Sequence, residues 1–516
     1  MLKQRDLNWH MYSLVLIGLI LLLQFFHSYH YPQFLDEFFH LHSAWSIEYW
    51  DGFSSVDLLQ DAPIGRPNLY PPFYHSLIQI LHQSGMDWIT ISKFFSVLIV
   101  PAFCLVFYFI FRDLVSPLFG FIFILLVFSS YGFFNSLIDY IPATISIIFW
   151  GMSFSFFIKK KFLASSLFLA LCFYTHPVLG YVEFGLLFIW ALLSNWKKAV
   201  YYLLSLLIAF PFIFHQFYNI RYFSCRPYAY GSCSLELKFV EIALCIAGII
   251  LAIFYKDKRN IVKLFLLAMG FSTVFYILPG YRDRIVVSQG FLPVMFFAAY
   301  CIYHIFEKMP DFKKRVLFLL GIFIFFVFLS PSFLYLKEGK KFLLFDSFLI
   351  NSFKDVFSER AHSFSVWSAK TYEPIISLIK TNTDKNEIIH SNVYSLGVMF
   401  SLLSERPTAS ALFSEVKPFL GFDRVAVSKL VIHLKSLNAK KDSEILDYFS
   451  QRNFKLIEDL PLFYIFRNPS PLKIGSIDKQ IIIGKKLLYG FWLILFCLIF
   501  FFCSWENKSQ YSKNKR

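Results

Sequence analysis

The chain has 516 residues, 57% of them hydrophobic and 16% charged, with a net charge of +15 and a mean hydropathy of +0.56. A soluble domain is nearer half apolar and a quarter charged, so this composition excludes an ordinary soluble enzyme and indicates a polytopic membrane protein. The lysines and arginines sit in short clusters between apolar runs, a pattern that fits orientation in a bilayer and not nucleic-acid binding.

A spanning helix needs about 20 mostly apolar residues, which predicts about twelve crossings along this chain. They centre on residues 11–27, 88–111, 116–131, 140–158, 162–175, 177–194, 199–217, 237–255, 261–279, 286–306, 316–335 and 487–504. The first run follows Lys3 and Arg5, and "HSYHYPQF" after it offers no small-residue cleavage site, so it reads as an uncleaved first helix. Arg112, Lys159 to Lys161, Lys197 and Lys198, Lys256 to Arg259, Lys313 to Arg315 and the 508–516 tail fall in alternate connections. The positive-inside rule then places both termini in the cytoplasm. Arg221, Arg226, Arg282 and Arg284 are the main basic residues left outside.

The first outer loop, 28–87, opens with "LDEFFHLHSAW". Phe38, Leu41, Trp45 and Tyr49 recur at helical spacing, while Asp36, His40 and Ser43 share another face. Such a helix is expected to lie in the membrane interface, apolar side down. After Asp57 and Asp61 comes "GRPNLYPPFYHSLIQILH", where Pro71 and Pro72 suit the first turn of a second interfacial helix. Between the last two crossings, 336–485 alternates helical ("YEPIISLIK", "SEILDYFSQ") and strand-like ("EIIHSN", "VAVSKLVIHLK", "FKLIEDL", "LFYIFRN") segments. That alternation predicts a small extracytoplasmic α/β domain without a GxGxxG or P-loop motif. Of eight cysteines, six lie in apolar runs; Cys225 and Cys233 flank "RPYAYGS", where a disulfide requires an oxidising space.

The expected organisation is therefore 1–335 as a transmembrane module, 336–485 as the α/β domain, and 486–516 as the last helix with a basic cytoplasmic tail. Titratable chemistry concentrates outside: Asp36, Glu37, His40, His75, Asp139, His176, Glu183, Arg282, Asp283 and Arg284 all fall at outer helix ends or in outer loops. A transporter tends to carry ionisable groups near the midplane, where this chain has little beyond Glu183. A carboxylate at the first exit can act as a general base, and arginines at a later exit can hold a phosphate. Together they suit transfer of a group from a phosphate-linked lipid to an acceptor hydroxyl or amine. Each residue also has a plainer reading. Asp36 and Glu37 can serve as N-terminal acids of their helix, His176 before Pro177 can start the next one, and Arg282 and Arg284 can snorkel to headgroups.

"LDEFFHLHSAW", "GRPNLYPPFYHSL", "YTHPVLG" and "PGYRDR", in this order and sidedness, resemble elements of the GT-C superfamily of polytopic membrane glycosyltransferases. That superfamily includes the protein O-mannosyltransferases and the lipid A aminoarabinose transferase. The resemblance covers 1–335 in architecture. It implies a polyprenyl-phosphate-sugar donor, a lipid, glycan or protein acceptor, inversion at the anomeric carbon, and a bacterial inner membrane. It also implies Asp36 as base, with Glu37 the adjacent alternative. His40, Arg66, Tyr70, His75, Asp139, His176, Arg282 and Arg284 are the substrate-binding candidates. No DxD motif is present; a divalent ion shared by Asp36 and His40 is the one metal alternative. The rival readings are a transporter or lipid flippase, and a non-catalytic scaffold.

Overall fold

The computed structural model describes residues 4–27, 32, 36–139, 141–222, 239–255, 257, 259–277, 291–309, 311–324, 331–335, 341–345, 368–412, 416–436, 438–475 and 481–513. The chain enters through α1 (Gln4–His27), then a loop carrying α2 (Asp36–Tyr49), β1 (Gly52–Ser54), β2 (Val56–Asp57), β3 (Arg66–Pro67) and α3 (Pro72–Gln83). A helical bundle follows: α4 (Trp88–Leu114), α5 (Pro117–Ser129), α6 (Tyr131–Asp139), α7 (Ile141–Ile158), α8 (Phe162–Thr175), α9 (Leu179–Tyr218), α10 (Phe239–Phe254), α11 (Asn260–Ile277), α12 (Phe291–Lys308) and α13 (Phe312–Ile324). Helix starts are locally encoded. Asp87 accepts a hydrogen bond from the Thr90 amide to cap α4, Ser116 caps α5 just ahead of Pro117, and Pro72 opens α3.

Among the described residues, five helical stretches are long and apolar enough to cross a membrane: Leu7–Phe26, Trp88–Leu114, Ile141–Ile158, Trp196–Tyr218 and Lys485–Ser504. Phe254, Phe500 and Leu207 stand on the outside of the bundle, as lipid-facing residues do. The protein is an integral membrane protein. Helix α9 is assigned as continuous, yet Tyr181 Oη donates to Gln216 Oε1 at 2.7 Å across 35 residues. A straight helix would separate them by about 50 Å, so the run folds back on itself as an antiparallel pair.

The two ends of the bundle differ in chemistry. At one end Lys159 pairs with Asp113 at 2.6 Å, Lys161 Nζ donates to the Cys503 carbonyl, Trp9 packs on Phe306, and Arg259 pairs with Asp257. At the opposite end lie the first loop, His176 and the end of α9, where His215 Nε2 is 2.8 Å from the Asn68 carbonyl oxygen.

The last third carries a hairpin of β4 (Pro331–Tyr335) and β5 (Lys341–Phe345). It continues with α14 (Ala369–Asn382), β6 (Ile389–Ser391), α15 (Tyr394–Ser404), α16 (Arg424–Val427), β7 (Leu430–Leu434), α17 (Ala439–Gln451), β8 (Lys455–Asp459), β9 (Phe463–Arg467), β10 (Ile481–Gly484) and α18 (Lys485–Lys513). Four strands form a sheet in the order β6-β7-β9-β8, with β6 and β7 parallel and the rest antiparallel. Strand alternation sends Leu430 and Ile432 into the main core, and Val431 to a separate cluster with Phe449 and Phe466.

This sheet unit and the first loop are joined by hydrogen bonds. Thr408 N donates to the Leu59 carbonyl at 2.8 Å, Ala62 N to the Thr408 carbonyl at 3.0 Å, and Phe419 N to the Gly65 carbonyl at 3.2 Å. Arg424 and Asp61 form an ion pair at 2.7 Å in which the carboxylate is fully enclosed. Strand β1 pairs with β10, which ties the last helix to the same loop. The expectation of an interfacial α2 with one exposed face is corrected here. Every residue from Glu37 to Ile47 is buried, because α15 packs on α2 from the side opposite α3 and α4.

Candidate active site

Helix α2 places two carboxylates in its first turn, where the helix dipole favours them. Their surroundings differ. Glu37 is buried, and its Oε2 accepts a hydrogen bond from Ser92 Oγ of α4. Asp36 is half-buried at the first residue of the helix. One turn later, His40 Nδ1 lies 3.1 Å from His75 Nε2 of α3. The Tyr70 ring sits 4.9 Å from His40, 5.2 Å from His75 and 6.0 Å from His176, each edge-on or tilted. Three imidazoles and a phenol from three chain segments thus meet beside the first turns of α2.

Burial holds the His40 imidazole well below its ordinary range, and the like charges of His75 and His176 add to this. Burial pushes His75 down to about 3. At neutral pH these rings are uncharged, each offering one donor and one acceptor. The Tyr74 hydroxyl is pushed up by burial and by the Glu37 charge.

Arg66 reaches this region from the β2–β3 hairpin. Gly65 makes the approach, at φ +74° and with no room for a Cβ, which would meet Leu58 Cδ2 at 2.7 Å and the Asp57 carbonyl at 2.8 Å. The guanidinium donates from Nη2 to Gln60 Oε1 at 2.7 Å and stands 5.8 Å from the Phe39 ring centre. Gln60 Nε2 donates to Asp57 Oδ2 at 3.0 Å and lies 3.3 Å from His42 Nδ1. His42 Nε2 in turn lies 3.0 Å from Ser401 Oγ of α15. Burial pushes His42 to about 3, with the Arg66 charge adding to the effect. Burial also raises the Asp57 carboxyl, against the opposing pull of Arg66.

The structure brings together Asp36, Glu37, His40, Arg66, Tyr70, His75 and His176 around α2. His176 also performs the plainer task, since its Nδ1 accepts from the Val178 and Leu179 amides at 3.3 and 3.2 Å and so caps α9. Glu183 is enclosed in the bundle, where its Oε2 accepts from Ser146 at 2.6 Å. Asp139 ends α6 with its side chain outside the described residues, as are Arg282, Arg284, Cys225 and Cys233. Sequence reasoning missed His42, Asp57, Gln60 and Ser401. The signal for the first three was their grouping with Arg66 in one loop; Ser401 is 359 residues from His42 and left none. Among the described residues no group of three His, Cys, Asp or Glu side chains is arranged to hold a metal ion.

No protein-family model matches the sequence, and no curated protein matches it. Solved structures do resemble the fold. The archaeal oligosaccharyltransferase AglB from Archaeoglobus fulgidus, solved with an inhibitory peptide and a dolichol-phosphate, superposes with a TM-score of 0.57 at 9% identity, covering 84% of this chain and 70% of that one. ArnT from Cupriavidus metallidurans, bound to undecaprenyl phosphate, gives 0.51 at 11% identity over 88% and 97% of the two chains. The arabinofuranosyltransferase AftD from Mycobacteria gives 0.54 at 9% identity over 89% of this chain, which spans 40% of the length of AftD. All three share their fold with this chain. The chain has the GT-C fold.

Proposed function

We propose that this protein is a membrane glycosyltransferase that moves a sugar from a polyprenyl-phosphate-linked donor to an acceptor on the extracytoplasmic side. The observation that carries this reading is the convergence of Asp36, Arg66 and the His40–Tyr70–His75–His176 cluster, in a GT-C fold, at the end of the bundle opposite the basic cluster. The positive-inside rule assigns the basic end to the cytoplasm, which leaves the cluster outside with both termini inside; a bacterial inner membrane is the proposed setting. The solved relatives, two of them holding lipid phosphates, support the donor class.

In the proposed reaction the acceptor hydroxyl or amine attacks the anomeric carbon. Asp36 takes the proton from the attacking atom. The bond between that carbon and the phosphate oxygen breaks, and the electron pair leaves with the polyprenyl phosphate. Attack opposite the leaving group inverts the centre. Arg66, joined by Arg282 or Arg284, holds the phosphate as charge grows on it. The neutral imidazoles and Tyr70 orient the sugar by hydrogen bonds and ring contact, because an uncharged sugar asks for paired donors and acceptors rather than ions. Glu37 is the less suited base, since it is enclosed and bonded to Ser92.

The test uses the protein in nanodiscs with a radiolabelled polyprenyl-phosphate sugar and an envelope-lipid extract as acceptor. Asp36→Asn is expected to cut transfer by about 100- to 10,000-fold, the range for losing a general base. An Asp36→Asn protein that folds and transfers at the wild-type rate defeats the assignment.

A further inference from the structure

Helix α17 lies over the Val431 face of the four-stranded sheet. Beyond the C-terminal ends of the parallel strands β6 and β7, helix and sheet enclose a cavity of about 440 Å3, a size typical of small-molecule sites. In sheets with parallel strands this edge is where ligands are commonly bound. It lies apart from the His40–His75 cluster, on a different element set.

The chemistry of the lining is specific. The strands supply His390 and His433, and Asn392 follows β6 directly. Helix α17 contributes Lys441, Glu444 and Tyr448. Lys441 and Glu444 carry one charge of each sign, so the ionic side chains cancel. The His433 imidazole is half-buried and lines the cavity, with its Nδ1 shielded from solvent. A ligand hydroxyl can pair with a neutral imidazole, which offers one donor and one acceptor. Tyr448 is 43% exposed, its ring 4.6 Å from the Arg452 guanidinium, and Phe449 packs edge-on against His433 with centroids 5.9 Å apart. Burial holds His390 at about 4, and His433 is likewise lowered, so both imidazoles are neutral donor–acceptor groups at pH 7.

An aromatic surface, several uncharged donors and acceptors, and no net charge match a polyhydroxylated ring with one apolar face. A phosphate or nucleotide would require a net cationic lining, and an acyl chain has no use for the polar groups. We propose that this cavity binds a neutral saccharide unit, one or two sugar residues of a glycan. Its placement suits holding a glycan beside the first loop. His390 Nδ1 is 3.2 Å from Ser410 Oγ, and the carbonyl of Ser410 accepts the Asp61 amide of that loop. The inference concerns binding alone and stands apart from the transferase reading.

Saturation-transfer NMR on the full-length protein in nanodiscs tests it, with neutral methyl glycosides, neutral disaccharides and glucose 6-phosphate as probes. At least one neutral sugar is expected to receive saturation at its ring protons. Tyr448→Ala and His433→Ala are each expected to weaken that signal at least tenfold, while leaving the thermal midpoint near wild type and binding of free undecaprenyl phosphate unchanged. Asp36→Asn should bind the sugar as wild type does. No transfer to any neutral sugar, transfer to the phosphorylated probe only, or binding indifferent to both pocket variants would each overturn the proposal. Sugar binding in a protein devoid of transferase activity sinks only the transferase reading; transferase activity without pocket binding sinks only this one.

Discussion

Asp36 and Glu37 are adjacent carboxylates with different surroundings. Successive residues on a helix point about 100° apart, so Glu37 turns toward α4 and Ser92 while Asp36 heads the helix, half-buried. The same geometry separates His40, which meets His75, from His42, which meets Gln60 and Ser401. Arg66, proposed above to hold the donor phosphate, is kept buried beside Phe39 by the hairpin. Arg66→Gln is expected to raise the donor KM by about 10- to 100-fold, equivalent to a charge-assisted hydrogen bond of about 1.5–3 kcal/mol. Arg66→Lys should recover part of this, since it keeps the charge but loses the forked geometry. Equal KM values across the three proteins would remove Arg66 from the phosphate site.

At the scale of elements, local signals were sound and the surroundings were not legible. Pro72 opens α3, and the segments read as "EIIHSN", "FKLIEDL" and "LFYIFRN" are strands β6, β8 and β9. "VAVSKLVIHLK" divides into a short turn of helix and strand β7, because Asp423 caps Arg424–Val427 before the strand begins. Periodicity gave α2 an apolar and a polar face, yet both are buried. The face with Asp36 and His40 meets α3 through His75, while His42 on the other side meets a helix more than 350 residues distant, and period alone carries no record of such a partner. The ion pair of Asp61 and Arg424 fastens these elements, with Asp61 in the left-handed region at φ 51°. Arg424→Met is expected to lower the thermal midpoint, because it strands a buried carboxylate. Asp61→Asn combined with Arg424→Met should restore much of the loss, since no uncompensated charge remains and asparagine tolerates that backbone conformation. A double-mutant cycle with zero coupling would show that the pair does not fasten the loop.

For the whole molecule, the same burial that keeps these imidazoles uncharged makes stability depend on pH. His75 and His42 are held at about 3 and His390 at about 4, whereas an unfolded histidine titrates near 6.5. Below that value the unfolded chain binds more protons than the folded one, so stability falls as pH drops from about 6.5 toward 3–4. Asp57, with its carboxyl raised, acts in the opposite sense as one group against several. Thermal midpoints in detergent should therefore fall through this window, and less steeply in a His42→Gln/His390→Gln double variant. A midpoint flat from pH 7 to 4 would contradict the burial argument.

Class and membrane character were legible in the amino-acid order, as were most helix positions, because apolar length, capping residues and charge clusters act within about 20 neighbouring residues. The candidate residues 36–75 were legible for the same reason: they share one loop. The differing surroundings of Asp36 and Glu37, the network that seats Arg66, and the seating of the sheet unit on the first loop came from packing. Their partners, Ser92, Ser401 and Arg424, arrive from remote parts of the chain, and a contact between distant residues is set by how whole elements fit together, not by any spacing along the sequence.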